Sequence, residues 1–475
     1  MRLDAMRRVK YAILGAGTSG LTALSLIRKQ TDDFVIINGG HYGTTCARVG
    51  CMPSKAMIQS ANIYHKRHHY DEFGLAGSES VTVDTAKVMQ RVRRLRDRFT
   101  TGVKAGTTDS LKEGQLISGY AKFVGENRLE VNGEVIEAER IIIATGSRPV
   151  IPEPWKAIGD RLHTSDTLFE LPVLPERIAV IGLGIIGLEL GQAMSRLGVS
   201  ITGFEMQERI AGLSAPEVAQ KAVELISKDF PLHLGESAQL ERTDQGVLIK
   251  TSNSEVEVDV VLASLGRRPN LDLLDLNAAG IKLDSRGMPT FDLNTMQVED
   301  KPIFIAGDVN AFRPILHEAG YEGKMAAINA INYPDITAYE RKTPLGIAFT
   351  DPDIGMFGMS YSSLNQDEVE VANFNLERNN GRAIVMHEDH GMICLYADKS
   401  TKKLLGGELI MPHAEHFTHL LAWAVEQGMT IADLVKMPFY HPVLEEALQS
   451  AIQNLYDALY VDSEDRIAPE LTVMQ

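Results

Sequence analysis

Two segments of this chain repeat one plan. The apolar run Val9 to Leu14 leads into Gly15-Ala16-Gly17-Thr18-Ser19-Gly20, then a helical pattern to about Gln30 and a second run, Phe34 to Ile37, ending at Asn38. In the same way Ile178 to Ile181 leads into Gly182-Leu183-Gly184-Ile185-Ile186-Gly187, a helix to about Leu197, and Val199 to Phe204 ending at Glu205. In both copies 18 residues separate the third glycine from that final polar residue. A lone Gly-x-Gly-x-x-Gly is a weak signal, but strand, turn, helix and strand in this order twice over define two dinucleotide-binding units. The three glycines serve a tight turn, a close approach of backbone to pyrophosphate, and close packing of helix on strand. The helix N-terminus faces the phosphates.

The residue ending the second strand contacts the ribose in such units, and here the copies differ. Glu205 can accept both hydrogen bonds of a ribose diol and repels a 2′-phosphate, so the second unit is expected to prefer NAD(H) over NADP(H). Arg209, four residues on, reads as a surface residue. Asn38 carries no charge, so the first unit must hold its ribose by neutral hydrogen bonds.

Directly after the first unit, Cys46 and Cys51 stand five apart in Thr44-Thr45-Cys46-Ala47-Arg48-Val49-Gly50-Cys51-Met52-Pro53-Ser54-Lys55. With three cysteines in 475 residues the chain is no disulfide-stapled scaffold, so such a pair reads as redox-active or metal-binding. On a regular helix, positions five apart have Cα atoms about 8.6 Å apart, whereas a disulfide needs less than about 7 Å. Oxidation of the pair therefore requires irregular backbone, which Gly50 is best able to supply, and Pro53 can open the helix that follows. A helix start there would favour a thiolate at Cys51. Zinc is the competing reading, but no second cysteine pair or His-spaced partner follows to complete a site.

Composition limits the remaining classes. With 44% apolar and 23% charged residues the chain can bury several cores, and length predicts about three domains. A net charge of −16 argues against nucleic acid and anionic membrane as partners. The longest apolar stretch, Ile178 to Leu190, is 13 residues, is Gly-rich and contains Glu189, so it cannot span a bilayer. Met1 to Arg8 offers no apolar h-region, and the expected location is the cytoplasm.

Further strand-then-glycine signals recur at Ile141 to Gly146, Val260 to Gly266 and Ile303 to Asp308, and read as strand ends where backbone closes over a cofactor. Val88 to Phe99 is an amphipathic helix whose five arginines form a solvated face. From about Pro344 a strand-rich stretch runs through Leu409, then an apolar helix Phe417 to Gln427, suggesting a separate C-terminal domain. His413, His416 and His419 read as a polar helix face, as do His65, His68 and His69, and Cys394 as a buried small apolar residue.

Taken together these residues resemble the class I pyridine nucleotide-disulfide oxidoreductases, most closely the dihydrolipoyl dehydrogenase branch. The resemblance spans nearly the whole chain. It rests on both glycine motifs, the block Thr45 to Lys55, Ala144-Thr145-Gly146, Leu188-Glu189, Ala306-Gly307-Asp308, Phe349-Thr350-Asp351-Pro352, and His441-Pro442 with Glu446. It implies an α/β fold with two Rossmann-like dinucleotide-binding domains and a C-terminal α+β dimerisation domain. The implied division is an FAD domain in 1–152 and 276–342, an NAD domain in 153–275, and a dimerisation domain in 343–475.

For FAD the resemblance implies Gly15, Gly17, Gly20, Asn38, Thr45, Lys55, Ala121, Ala144, Thr145, Gly146 and Asp308, with Leu316 and His317 near the flavin pyrimidine end. For NAD it implies Gly182, Gly184, Gly187, Glu205 and Gly266. Cys46 would exchange with a substrate dithiol, Cys51 would face the flavin, and Lys55 would pair with Glu189 beside it. His441, oriented by Glu446, would be the base and would reach the disulfide of the opposite subunit of a homodimer. A small dithiol or disulfide, or a lipoylated domain, is the implied partner, with no metal.

Four positions depart from the pattern. Phe439 and Tyr440 replace a small residue and a His before the base, Val443 replaces Thr, and Thr44 stands where Gly is usual. Ile185, Gly187 and Glu205 separate the chain from glutathione reductase, and the tail lacks the vicinal cysteines of mercuric reductase. Two alternatives stay open: an NADH-dependent reductase of another disulfide or electrophile, and a non-catalytic, redox-sensing flavoprotein.

Overall fold

The computed structural model describes residues 6–461 and 468–471. It divides into two compact units. The first comprises the segment up to Ser54, Gln90–Val150 and Gly266–Arg341, and the second comprises Lys55–Met89, Ile151–Leu265 and the chain from Lys342.

In the first unit the strand Arg7–Leu14 lies between Phe34–Asn38 and Glu134–Ile143, parallel to both, with Leu116–Ser118 beyond Phe34–Asn38. The short strand Ile303–Ile305 returns from far along the chain to pair in parallel with Glu134–Ile143. These central strands are buried on both faces, which is why they read as unbroken apolar runs rather than alternating ones. One face packs Ala12, Leu14, Val35, Ile141 and Ile143 into one core, and the other packs Ile13, Ile36 and Ile142 against the helices Thr18–Ile27 and Leu316–Asn332. Gly323 lets those two helices meet closely, since a Cβ there would overlap the Ser19 carbonyl. An antiparallel ribbon, Ser147–Pro149 with Arg267–Pro269, completes the unit.

The second unit holds a second parallel sheet in which Arg177–Ile181 lies between Ser200–Glu205 and Val260–Ala263. It also holds an antiparallel five-stranded sheet running from Leu345–Ala348 to Val369–Asn375. The helices Ala414–Glu426 and Glu445–Leu459 pack Phe417, Leu421, Leu448 and Ile452 on that sheet. The expected α/β fold with an α+β C-terminal portion is present.

The first repeat helix ends at Ile27 rather than near Gln30, and the arginine-rich helix runs Thr85–Gly106, beyond both ends of its apolar spacing. Among the described residues no helix is long and apolar enough to cross a membrane.

Candidate functional site

The two glycine turns are the same structure built twice. Gly15 and Gly182 have φ of +110° and +93°, and Gly17 and Gly184 cap the following helices at φ, ψ of −81°, −174° and −69°, −175°. A Cβ at Gly15 would overlap the Ala144 carbonyl oxygen, and one at Gly20 that of Gly15. The second turn matches, with Gly182 against Ser264 and Gly187 against Gly182. These glycines are compelled by packing within the chain. Gly17 and Gly184 are not, for a Cβ there meets nothing within 4 Å. Their side faces open space at a helix N-terminus, as a pyrophosphate requires. The buried hydroxyls of Ser19 and Ser264, beside the two turns, have no hydrogen-bond partner among the described residues. Both turns therefore fit a dinucleotide.

The ribose-position residues repeat as well. Oδ1 of Asn38 accepts the Ala16 amide at 3.1 Å, and Oε2 of Glu205 accepts the Leu183 amide at 2.8 Å. Asn38 also donates to the Gly40 carbonyl at 2.8 Å, whereas the second oxygen of Glu205 accepts the Gln207 amide at 3.1 Å. Each carboxylate oxygen of Glu205 keeps a lone pair for a ribose hydroxyl.

In the first unit Cys46 lies in the short helix Thr45–Val49 and Cys51 begins the helix Cys51–His65, both half-buried. Between them Gly50 takes φ −123°, ψ −117°, outside both helical and extended regions, so the expected break falls at the expected residue. Pro53 is the third residue of that second helix, within its first turn as expected, and Cys51 is the first. Thr44 caps the first helix by accepting the Ala47 amide on its hydroxyl at 3.3 Å. It does so at φ +64°, ψ 151°, backbone that belongs to glycine, which explains why Gly is the usual residue there.

Asp308 accepts the Ser147 hydroxyl at 2.8 Å, and Ser147 is in turn bonded by Arg267. Thr145 and Asn270 exchange hydrogen bonds at 2.8 and 3.0 Å, closing the loop that carries Ala144 and Gly146. Gly146, at φ +68°, has open space where its Cβ would be, as does Gly266 at φ +86°. Ala121 is buried just before the strand Lys122–Gly125, and Leu316 and His317 open the helix Leu316–Asn332.

In the second unit Lys55 lies 2.6 Å from Oε2 of Glu189, whose other oxygen accepts the Phe349 amide at 3.0 Å. The ammonium also sits 4.5 Å from the centre of the Phe349 ring. Glu189 is one of three buried polar residues on the helix Ile185–Arg196. Gln192 bonds Asp229 and the backbone of Asp351, and Arg196 bonds Asn62, Asp229 and Asp351. Burial works against the Arg196 charge, but Asp351 and Asp229 outweigh it and raise its pKa. Sequence reading missed Gln192 and Arg196, although their spacing of three and seven from Glu189 was the available signal.

Near the C-terminus, Nδ1 of His441 meets Oε1 of Glu446 at 2.8 Å, and the side chain of His441 is 79% exposed. Tyr440 is 80% exposed, while Phe439 packs against the C-terminal core. Cys394 is fully buried and its thiol is pushed up to about 12 by that burial. His65, His68, His69 and His387 cluster with ring centres 5.3 to 5.7 Å apart, bringing His387 to the three neighbours in sequence. Among the described residues no group of three or more His, Cys, Asp or Glu is placed to hold a metal ion.

Two nucleotide turns, a cysteine pair across a helix break and an oriented imidazole define a flavin- and nicotinamide-dependent thiol–disulfide oxidoreductase. The family model described as pyridine nucleotide-disulphide oxidoreductase matches residues 9–332, and that family's dimerisation domain matches 345–452. The chain belongs to the pyridine nucleotide-disulphide oxidoreductase family, with FAD and NAD(P) as its cofactors. It is 32% identical to a dihydrolipoyl dehydrogenase of Haloferax volcanii, over 95% of this chain and 97% of that one. It is equally identical, at 32%, to a mercuric reductase of Bacillus cereus, over 93% of this chain and 70% of the other. Among solved structures, LpdA from Mycobacterium tuberculosis superposes with a TM-score of 0.81 at 24% identity, covering 95% of this chain and all of that one. A HOCl-induced flavoprotein disulfide reductase from Escherichia coli does so with 0.81 at 20%, covering 94% and 99%. These two likenesses carry the fold. The dimerisation domain supports a homodimer.

Proposed function

We propose that the chain is an NAD-dependent dihydrolipoyl dehydrogenase: it takes two electrons from a dihydrolipoyl dithiol and delivers them to NAD⁺ through a Cys46–Cys51 disulfide and FAD. The observation that carries this reading is the placement of Cys46 and Cys51 on either side of the Gly50 break. His441, held by Glu446, takes the proton of the incoming thiol, whose unperturbed pKa is about 8.5. Attack of that thiolate on Cys46 opens the enzyme disulfide and leaves Cys51 as thiolate. The second substrate thiol then displaces Cys46, so the substrate leaves as a disulfide and both enzyme cysteines are reduced. The first glycine turn, Asn38 and Asp308 would hold FAD, which would supply the two-electron relay between thiols and nicotinamide. The sum is dithiol plus NAD⁺ giving disulfide, NADH and one proton. Lys55 and Glu189 form the charged pair proposed to stand beside the flavin.

Glu205 supports NAD(H) over NADP(H), since both of its oxygens keep acceptor capacity and its charge opposes a 2′-phosphate. The domain division 1–152 with 276–342, 153–275 and 343–475 and a cytoplasmic location belong to the same reading. Dihydrolipoamide-dependent NADH formation tests it directly, and a Cys51→Ser protein that kept full dithiol turnover would sink it. The exposed aromatic Tyr440 beside the base favours a second reading, reduction of a different disulfide or electrophile by NADH. Turnover with other disulfides and none with lipoamide would select that one.

A further inference from the structure

The first unit buries two carboxylates on one turn of the helix Leu316–Asn332. Glu318 is 2% exposed and Glu322 is 1% exposed. A buried, unpaired carboxylate is costly, so each must be matched by charge or hydrogen bonds. One guanidinium does most of this. Nη2 of Arg341 lies 2.7 Å from Oε2 of Glu318 and 2.8 Å from Oε1 of Glu322. Arg313 meets the other oxygen of Glu318 at 3.1 Å. The Phe312 ring is close to both guanidiniums, its centre 4.9 Å from Arg313 and 5.1 Å from Arg341.

The other oxygen of Glu322 leads out of this cluster. It accepts the Gly307 amide and the Asn310 side-chain amide, each at 2.7 Å. Gly307, at φ +85°, is the turn that presents Asp308. Burial raises the carboxyl of Glu322 above its usual range, opposed by the Gly307 amide and by Arg341. Two carboxylates and two guanidiniums thus balance at the start of the helix that Leu316 and His317 open, and the same cluster grips the Asp308 turn.

We propose that Arg341 is a positioning residue for FAD: by bridging Glu318 and Glu322 it fixes the Gly307–Asp308 turn and cancels acidic charge at the start of the Leu316–Asn332 helix. This rests on the reading that Asp308, Leu316 and His317 line the FAD site. Removing the guanidinium leaves one uncompensated negative charge there, which disfavours adding two electrons to the flavin. It also frees the Glu322 carboxylate that holds the turn.

The test uses the full chain as wild type, Arg341→Gln, Arg341→Lys and Arg313→Gln, each checked by circular dichroism. FAD affinity is read by flavin fluorescence on reconstitution, and the flavin midpoint potential by dye equilibration. Arg341→Gln is expected to bind FAD at least tenfold more weakly and to have a potential lower by about 30 mV, a tenfold change for a two-electron couple. Arg341→Lys should restore the potential but only part of the affinity, since a point charge cannot bridge two carboxylates as a fork does. Arg313→Gln, which leaves the bridge intact, should lower the potential and leave affinity near wild type. If Arg341→Gln does not fold, the other two variants carry the same comparison. Wild-type affinity and potential in folded Arg341→Gln, or in both Arg341→Lys and Arg313→Gln, would overturn the inference. A wild-type chain that takes up no FAD would instead overturn the reading beneath it.

Discussion

Nδ1 of His441 lies 2.8 Å from Oε1 of Glu446, and the second oxygen of that carboxylate accepts the Val443 amide at 3.1 Å. The carboxylate is therefore fixed from two sides before it orients the imidazole. Hydrogen bonds first from His441 and then from the Val443 amide hold the Glu446 carboxyl below its usual range. Because its folded value is the lower one, what the pair contributes is present above the unfolded value and is lost as pH falls through the folded one. His441→Gln should lower dithiol turnover by about 10²- to 10⁴-fold, the range of general base catalysis. NADH oxidation by ferricyanide, which needs no thiol exchange, should stay near wild type. Equal loss in both assays would remove His441 from the thiol half-reaction.

Thr44 makes an unusual pair of predictions. Its φ of +64° with ψ 151° costs on the order of 1–3 kcal/mol in a residue other than glycine. Its hydroxyl cap on Ala47 returns about 1 kcal/mol. Thr44→Ala keeps the backbone cost and discards the cap, so it should destabilise by about 1 kcal/mol. Thr44→Gly removes the backbone cost and should match or exceed wild-type stability despite losing the cap. Thermal melts of the two proteins check this, and a glycine variant less stable than the alanine one would contradict it.

Glu205 should decide the nicotinamide nucleotide. A hydrogen bond to a charged acceptor is worth about 1.5–3 kcal/mol, so Glu205→Ala should weaken NADH by roughly 10- to 100-fold. NADPH, relieved of the repulsion, should lose less or gain. The ratio of the two kcat/KM values with a common disulfide is the measurement. An unchanged ratio would shift selection elsewhere, with Arg209 the nearest alternative cation in sequence.

Asp353 predicts a pH dependence of stability. Burial raises its carboxyl to about 8, with Glu415 and Asp351 adding to the effect. The folded chain then keeps a proton that the unfolded chain has already released, so stability falls as pH rises from the ordinary 3.8 to about 8, and levels off above that. Asp353→Asn should remove this slope and gain about 1 kcal/mol or more near pH 8. Urea midpoints of variant and wild type between pH 5 and 9 give the comparison, and parallel curves would show that Asp353 titrates normally.

The two nucleotide units were legible because every part of them is local: strand, turn, helix and ribose residue all lie within one short stretch. The Gly50 break was legible for the same reason. What escaped was long-range. Arg196 bonds Asn62, 134 residues away, and Asp351, 155 residues away, so its spacing from Glu189 marks the buried helix face but nothing nearby in sequence names its partners. In the same way Arg341 finds Glu322 across 19 residues, and Ile303 pairs with Ile141 from another part of the chain. Glu189 was found only through resemblance, since the apolar run around it signals burial and says nothing of Lys55. The helix Thr85–Gly106 runs on past Phe99, and Val103, four residues further along, still packs against the core of the first unit.

Gly17 and Gly184 are the glycines of their turns that the protein itself does not need to be glycine, since a methyl group at either would touch nothing of the chain. Evolution or an engineer can therefore close either nucleotide door alone without disturbing the wall around it. A protein with two such doors can lose one cofactor and keep the other, so a single-methyl lesion would separate its electron relay into halves that can be studied, or abandoned, one at a time.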